Sequence, residues 1–581
     1  MSDITSAGDD VVSVPEDAEA ESSLPGLVAR GRLLRPAWRG LAAFLLFQLG
    51  SFALYAWPIA GDFAHRYIGV GKGDSKIYQW SLTWLPWAIS HHQSPFYTTA
   101  VFAPDGVDLH WVTTLPGPAL VMWPVTKAFG ALVSYNLLLL GAPALAAWAT
   151  YLLCYRVTRS FWPSVAGGYV FGFSTYVVAQ MHGHVNLVLI FPAPLAAYLV
   201  VRWVKGELGT VPFVGLLTLD LAALFSISTE TFATTALFGG IALLGAFSFG
   251  GALRWRIFRA GALVALSYVI MVALCSPFLI TALRNAPEHQ LRPPANASVD
   301  LLSFVVPRFS TLIGGQAFTG ISSTFTANVV EDGAYLGIPL IVMLVWAGWS
   351  FRKSKPLMLL LGFVGLIAVL SLGPVLHIEG HESIPLPSTI IARLPLIKQA
   401  TPQRFTAYMA LGVAVVAAMW LTLAKGRTAW IRWGVVVLGA LLLAPDVHSP
   451  PYHPTLRVPV FFTSGDYRQA IHPDEVMFAI PTTQGEELLW QSRSDYYFKL
   501  AQGYLGPIPP AYQGQVTARG LSLIQPHPYI PVSSDFETFL LRHRVTAIVV
   551  ADAAESRYMP LLSGVGWMPT QVDDVWVWRH P

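Results

Sequence analysis

The sequence predicts a mainly α-helical, polytopic membrane protein: a transmembrane bundle of about eleven spans carrying a small C-terminal extracytoplasmic α/β domain. Three observations carry this prediction. Of 581 residues, 54% are hydrophobic and only 12% charged, roughly half the charge of an ordinary soluble domain. The mean hydropathy is +0.52, and a water-soluble globule of this length could not hide so much apolar surface. Apolar runs of spanning length recur between residues 41 and 446, and the short loops between them alternate in basic charge. This composition excludes a soluble enzyme, a disordered chain and a fibrous repeat. A net charge of +3 gives no reason to expect a nucleic-acid partner. The two cysteines, Cys154 and Cys275, lie inside apolar segments and read as small buried hydrophobes rather than metal ligands.

In chain order, residues 1–24 hold seven acids and no base, a disordered cytoplasmic tail that Arg30, Arg32, Arg35 and Arg39 extend to residue 39. The run Leu41–Ala60 is too long and too far from the N-terminus to be a signal-peptide core. It suffices to cross about 30 Å of hydrocarbon. Further runs at 133–155, 161–180, 186–203, 209–228, 231–250, 260–283, 334–350, 356–376, 405–424 and 429–446 complete a membrane domain over 40–446. With the N-terminus in the cytoplasm, every short inner loop is basic: Arg156 and Arg159; Arg202 and Lys205; Arg254, Arg256 and Arg259; Arg352, Lys353 and Lys355; Lys425, Arg427 and Arg432. The long outer loops are then 61–132, 284–333 and 377–404, and an odd span count leaves the C-terminus outside the cytoplasmic (inner) membrane.

Residues 115–131 contain Pro116, Pro118, Pro124 and Lys127, and a crossing there would invert the charge bias, so they read as a helix lying on the outer surface. Ile77–Ser90 is Trp-rich and amphipathic, a second interfacial helix. After residue 446, short strand-like runs (Val476–Pro481, Thr546–Val550, Val575–Trp578) interleave with helical patterns (Glu487–Leu500, Asp535–His543, Glu555–Leu562), predicting an α/β domain over 447–581.

Candidate chemistry gathers in the outer segments. Asp74, in Gly73-Asp74-Ser75, admits two readings: a general base or cation ligand at the membrane face, and a helix N-cap. His182 and His184 in MHGHVN suit a phosphate or a metal, or simply bond their own loop, and no third ligand lies nearby. Glu230, between two apolar helices, either marks the membrane boundary or belongs to a site. Asp220 is a carboxylate within a span, a functional-site hypothesis by default. Glu331 opens the motif EDGAYLG. Arg393, Lys398 and Arg404 are cations on the outer side, against the charge bias, and point to an anionic partner such as phosphate or a lipid diphosphate; solvated loop charge is the alternative.

Together these features resemble the GT-C class of membrane glycosyltransferases, which take sugar from a polyprenyl-phosphate donor. The resemblance rests on the acid soon after the first span, the two interfacial helices, the bundle and the outer C-terminal domain. Local segments add to it: GDSKIYQWSLTW, SYNLLLLGAPALA, HGHVNLVLIFPAPL, EDGAYLG and LPLIKQATPQRF look like a bacterial, largely uncharacterised GT-C-like family over most of residues 40–410. It implies that Asp74 serves as catalytic base for an inverting transfer. The usual DD, DE or ED pair is absent here, so Asp74 acts alone or Glu230 or Glu331 completes the site. It also implies donor-phosphate contacts from Arg404, Arg393, Lys398, His182 and His184. A divalent cation, Mg or Mn, is a further candidate, with Asp74 as its ligand. The implied partners are a polyprenyl-phosphate sugar, the lipid bilayer, and a glycan, glycolipid or protein acceptor. Two other functions fit the composition: a transporter or flippase of a lipid-linked envelope precursor, and a non-catalytic scaffold of an envelope-synthesis complex.

Overall fold

A computed structural model of the protein describes residues 25–286, 297–389 apart from 315, 329, 330 and 332, 400–446, and 453–581 apart from 482–484, 507, 513–532 and 552–554. Among these residues seven helices are long and apolar enough to cross a membrane: Trp38–Ile59, Ala131–Thr158, Val185–Val204, Thr210–Ile227, Thr229–Phe249, Gly251–Leu274 and Pro402–Thr422. The other four expected spans are shorter or interrupted. Gly337–Ser350 has 14 residues, Lys355–Ser371 has 17 and Arg427–Leu442 has 16. The 161–180 segment is broken into Phe161–Gly172 and Thr175–Gln180, because Ser174 turns out of the helix and its side chain caps Val177 N–H. Run length alone does not register such a break.

Three of the basic loops gather at one end of the bundle. Glu207 pairs with both Arg156 and Arg159, Lys205 Nζ donates to Arg156 O at 2.9 Å, and Arg256 reaches Val204 O at 3.4 Å. The 18-residue helix Thr210–Ile227 starts beside that cluster and rises about 27 Å, so its far end lies at the opposite face.

That opposite face carries the C-terminal region. Its five-stranded sheet runs Lys499–Leu500, Val476–Ile480, Ala547–Ala551, Val575–Arg579, Met568–Val572 in spatial order, the first three strands parallel and Val575–Arg579 antiparallel to both of its neighbours. Residues Ala547–Val550 are buried on both sides, as an unbroken apolar run in a covered strand should be. The expected helix over Glu487–Leu500 stops at Arg493. Asp495 and Tyr496 take positive φ, of 54° and 57°, and turn the chain into the short edge strand.

The helix Asp74–Ser90 joins the two parts rather than lying free at an interface. Ile77, Trp80, Trp84 and Ala88 enter the C-terminal core, while Tyr78, Leu82 and Leu85 enter the bundle core. The spacing of three to four residues in each set gives the helix two apolar faces, so it is buried on both. Trp80 Nε1 donates to Gln491 Oε1 at 2.9 Å across the junction.

Candidate active site

A cavity of about 770 Å³ opens between the bundle and the C-terminal region. One wall is apolar, at the ends of Thr210–Ile227, Thr229–Phe249 and Gly251–Leu274 and on the short helix Ser276–Arg284: Phe225, Phe232, Leu274, Phe278 and Leu279. Its other wall is polar and draws on five distant stretches of chain, which contribute Asp74, His184, Glu230, Arg404 and Tyr504.

Each polar residue is placed by its local structure. Asp74 is the first residue of its helix, and Gly73, at φ 56°, holds the cap position without a side-chain bond, so the capping reading of Asp74 does not describe this turn. The carboxylate still benefits from the helix N-terminus. Its Oδ1 accepts from Tyr504 Oη at 3.2 Å, and its Oδ2 lies 3.7 Å from His184 Nε2. Glu230 sits in the first turn of Thr229–Phe249, behind the Ser228 cap that accepts from Thr231 N–H. It accepts from Thr401 N–H at 3.1 Å and is bonded by Arg404 Nη1. Arg404 lies on the single 3-10 turn Pro402–Phe405 that leads into a spanning helix.

Glu331 is fully buried. Arg404 Nη2 donates to it at 2.9 Å, Gln403 Nε2 donates to its other oxygen, and His184 Nε2 stands 3.8 Å away. Two residues on, a Cβ at Gly333 would overlap Tyr176 Cα, so only glycine lets this loop lie against the 175–180 helix. Arg404 therefore bridges two glutamates, while Asp74 presents an oxygen to the cavity from across His184.

The structure thus brings Asp74, Glu230, Glu331, Arg404 and His184 together, although they come from five separate segments. His182 is placed elsewhere. It is buried against its own helix, with Nδ1 within 3.2 Å of Val178 O and Ala179 O, and burial pulls its pKa below the usual imidazole range. Asp220 is buried within its span and does not line the cavity. Arg393 and Lys398 lie outside the described residues. Among the described residues no group of three or more His, Cys, Asp or Glu side chains is arranged to hold a metal ion.

Four participants had not been singled out in the sequence: Tyr504, Thr401, Gln403 and Asn186, whose Oδ1 accepts from Tyr78 Oη at 2.6 Å. For Tyr504 a signal existed. Gly503-Tyr504-Leu505-Gly506 repeats the Tyr-Leu-Gly of the Glu331 motif, Tyr335-Leu336-Gly337.

No family model matches the chain. No curated protein matches it in sequence. Solved structures do match. The arabinofuranosyltransferase AftD from Mycobacteria superposes with a TM-score of 0.55 at 12% identity, over 94% of this chain and 40% of that one. The Archaeoglobus fulgidus oligosaccharyltransferase in complex with Zn and sulfate gives 0.51 at 13% identity, over 90% and 70%. ArnT from Cupriavidus metallidurans bound to undecaprenyl phosphate gives 0.50 at 10% identity, over 95% and 98%. These neighbours are GT-C fold glycosyltransferases, and at such identities the likeness is one of fold.

Proposed function

From a GT-C fold whose cavity has an apolar wall among its spanning helices and a carboxylate on the polar wall, we propose that this protein is a membrane glycosyltransferase. It moves a sugar from a polyprenyl-phosphate donor to an envelope acceptor on the outer face of the cytoplasmic membrane. In this reading the N-terminus is cytoplasmic and the C-terminal region extracytoplasmic, consistent with three of the basic loops gathering at the end away from the cavity. The observation that carries the reading is the cavity itself, about 770 Å³. Phe225, Phe232 and Phe278 give one wall the apolar character a prenyl chain requires, and Asp74 lines the same cavity, where a head group would lie.

The chemistry follows from the residues. Asp74 Oδ2 takes the proton of the acceptor hydroxyl as that oxygen attacks the anomeric carbon from the face opposite the phosphate. The bond from the anomeric carbon to the phosphate oxygen breaks as the new C–O bond forms. Polyprenyl phosphate leaves with the electron pair, and the configuration inverts. A guanidinium carries five N–H donors, so Arg404 can serve both glutamates and still offer N–H groups to phosphate oxygens, with His184 beside it. The acids do not form an evident divalent-cation site. Glu230 and Glu331 are engaged by Arg404, and a cation there would be repelled by the guanidinium.

The test is glycan linkage analysis of the cell envelope in a strain lacking the protein, complemented with wild type or Asp74→Asn at matched membrane abundance. The expected result is one linkage missing in both the deletion and the Asp74→Asn strain, with polyprenyl-phosphate sugar accumulating. Full rescue by Asp74→Asn removes Asp74 as the base. A deletion that loses no linkage overturns the transferase reading and leaves transport or scaffolding.

A further inference from the structure

We propose that Tyr504, delivered by the C-terminal region from 430 residues away in sequence, is a positioning residue for the Asp74 carboxylate. This inference rests on the transferase reading above and deepens it.

Three separate features of the fold converge on this one phenol. The first is close approach. Gly73 has φ 56°, and a Cβ there would stand 3.1 Å from Tyr504 Oη; Gly485 has φ 78°, and a Cβ there would meet Lys76 Cβ at 3.3 Å and Tyr504 Cβ at 3.4 Å. Both are left-handed positions that glycine adopts without strain. Both also leave the room in which the tyrosine passes from the C-terminal region to the start of the Asp74 helix.

The second feature is the hold on the tyrosine's own backbone. Glu487 is fully buried, and its Oε1 accepts Tyr504 N–H at 2.7 Å, which fixes where the side chain begins. The third is a clamp one helical turn from the first. Lys76, two residues after Asp74, pairs with Glu486 at 2.7 Å, its side chain only 8% exposed, and so ties the Asp74 helix to the segment that carries Glu487. A surface tyrosine would need none of these.

The consequence at the carboxylate is geometric. With Oδ1 held by the phenol, the plane of the carboxylate is fixed and Oδ2 is turned towards His184 and the cavity. A general base contributes only when its lone pair meets the proton it must take. Asp74 is attached to the bundle, but its orientation is set by a group on the C-terminal region.

The test uses the full-length protein in the complemented deletion strain. The rate of labelled-sugar incorporation into the affected linkage is compared for wild type, Asp74→Asn and Tyr504→Phe at equal membrane abundance. Binding of undecaprenyl phosphate to each purified protein, and its melting temperature, are measured in parallel. Expected for Tyr504→Phe is incorporation lowered about ten-fold, the scale of one hydrogen bond to a charged group, with undecaprenyl phosphate affinity and melting unchanged. Wild-type incorporation by Tyr504→Phe while Asp74→Asn is inactive overturns this inference and leaves the transferase reading standing. A proportionate loss of lipid-phosphate binding or of melting temperature assigns Tyr504 a packing role and also overturns it. Full activity of Asp74→Asn overturns both together.

Discussion

Glu331 and Asp74 stand on either side of one imidazole nitrogen, 3.8 and 3.7 Å from His184 Nε2, in opposite surroundings. Glu331 has no exposed surface and is bonded by Arg404 and Gln403. The Asp74 side chain is 26% exposed and accepts one tyrosine hydroxyl at 3.2 Å. A buried carboxylate held by an arginine and a glutamine is closed off from a substrate proton, and its removal strands the charge of its partner. A carboxylate with an oxygen open to a cavity has the reverse profile. Under the proposed transferase function, the contrast suits Glu230 and Glu331 to holding Arg404 for the donor phosphate and Asp74 to proton transfer, within one polar wall.

The largest effect should come from breaking the bridge. Arg404→Ala leaves Glu331 charged and buried, and the loss of one partner from a buried pair costs about 3–5 kcal/mol. The detergent-purified protein should therefore melt well below wild type. Asp74→Asn in the same assay should stay within about 1 kcal/mol of wild type, because an amide fills the space of a part-exposed carboxylate. If Asp74→Asn melts as low as Arg404→Ala, the two acids share one structural role and the contrast is broken.

A smaller loss sharpens the same point from the backbone. Gly333→Ala puts a Cβ onto Tyr176 Cα, a backbone overlap no rotamer relieves, and should cost about 1–3 kcal/mol through displacement of the Glu331 loop. Gly362→Ala is the control. No atom lies within 4 Å of its Cβ position, and it sits in the helix Lys355–Ser371, so alanine there should be neutral or stabilising in thermal melts.

Much of this wall was legible in the sequence, for a physical reason. Charge is scarce in an apolar chain, so an acid such as Glu230 or Glu331 placed between spans has few explanations other than an ion pair or a site. Arg404 stood out in the same way, as a cation on the side of the membrane where the other loops have few. What pairs with what was not legible. That Arg404 bridges both glutamates depends on how the 228–230, 331 and 401–404 segments meet, and no spacing encodes it. His182 and His184 differ by two positions and looked equivalent, yet the turn between them sends one imidazole to its own helix carbonyls and the other to the cavity. The span count suffered similarly, since the runs gave the lengths while a side-chain cap at Ser174 decided a break. Tyr504 was hidden because its one signal, the Tyr-Leu-Gly shared with the Glu331 motif, is faint in a chain that is 13% aromatic.

The smallest single-site effect, best read at pH 5, probes the hidden half of the contrast, the support behind Tyr504. Burial, reinforced by neighbouring Glu486, pushes the Glu487 carboxyl up to about 8. The folded protein therefore holds a proton on Glu487 that the unfolded chain releases near the ordinary glutamate value. Between those two values the folded state binds more protons than the unfolded state, so stability falls as pH rises from about 5 towards 8. Glu487→Gln keeps an oxygen to accept Tyr504 N–H and removes the titration. At pH 5, where Glu487 is neutral, the variant should melt within about 1 kcal/mol of wild type, since one neutral group replaces another of the same shape. As pH is raised to 8, wild type should lose melting temperature and the variant should lose less. Parallel curves for the two proteins would mean that Glu487 is ionised in the folded state and held by Lys76. The anchor of Tyr504 would then be an ion-pair network like the one around Arg404, and the two halves of the polar wall would be built alike.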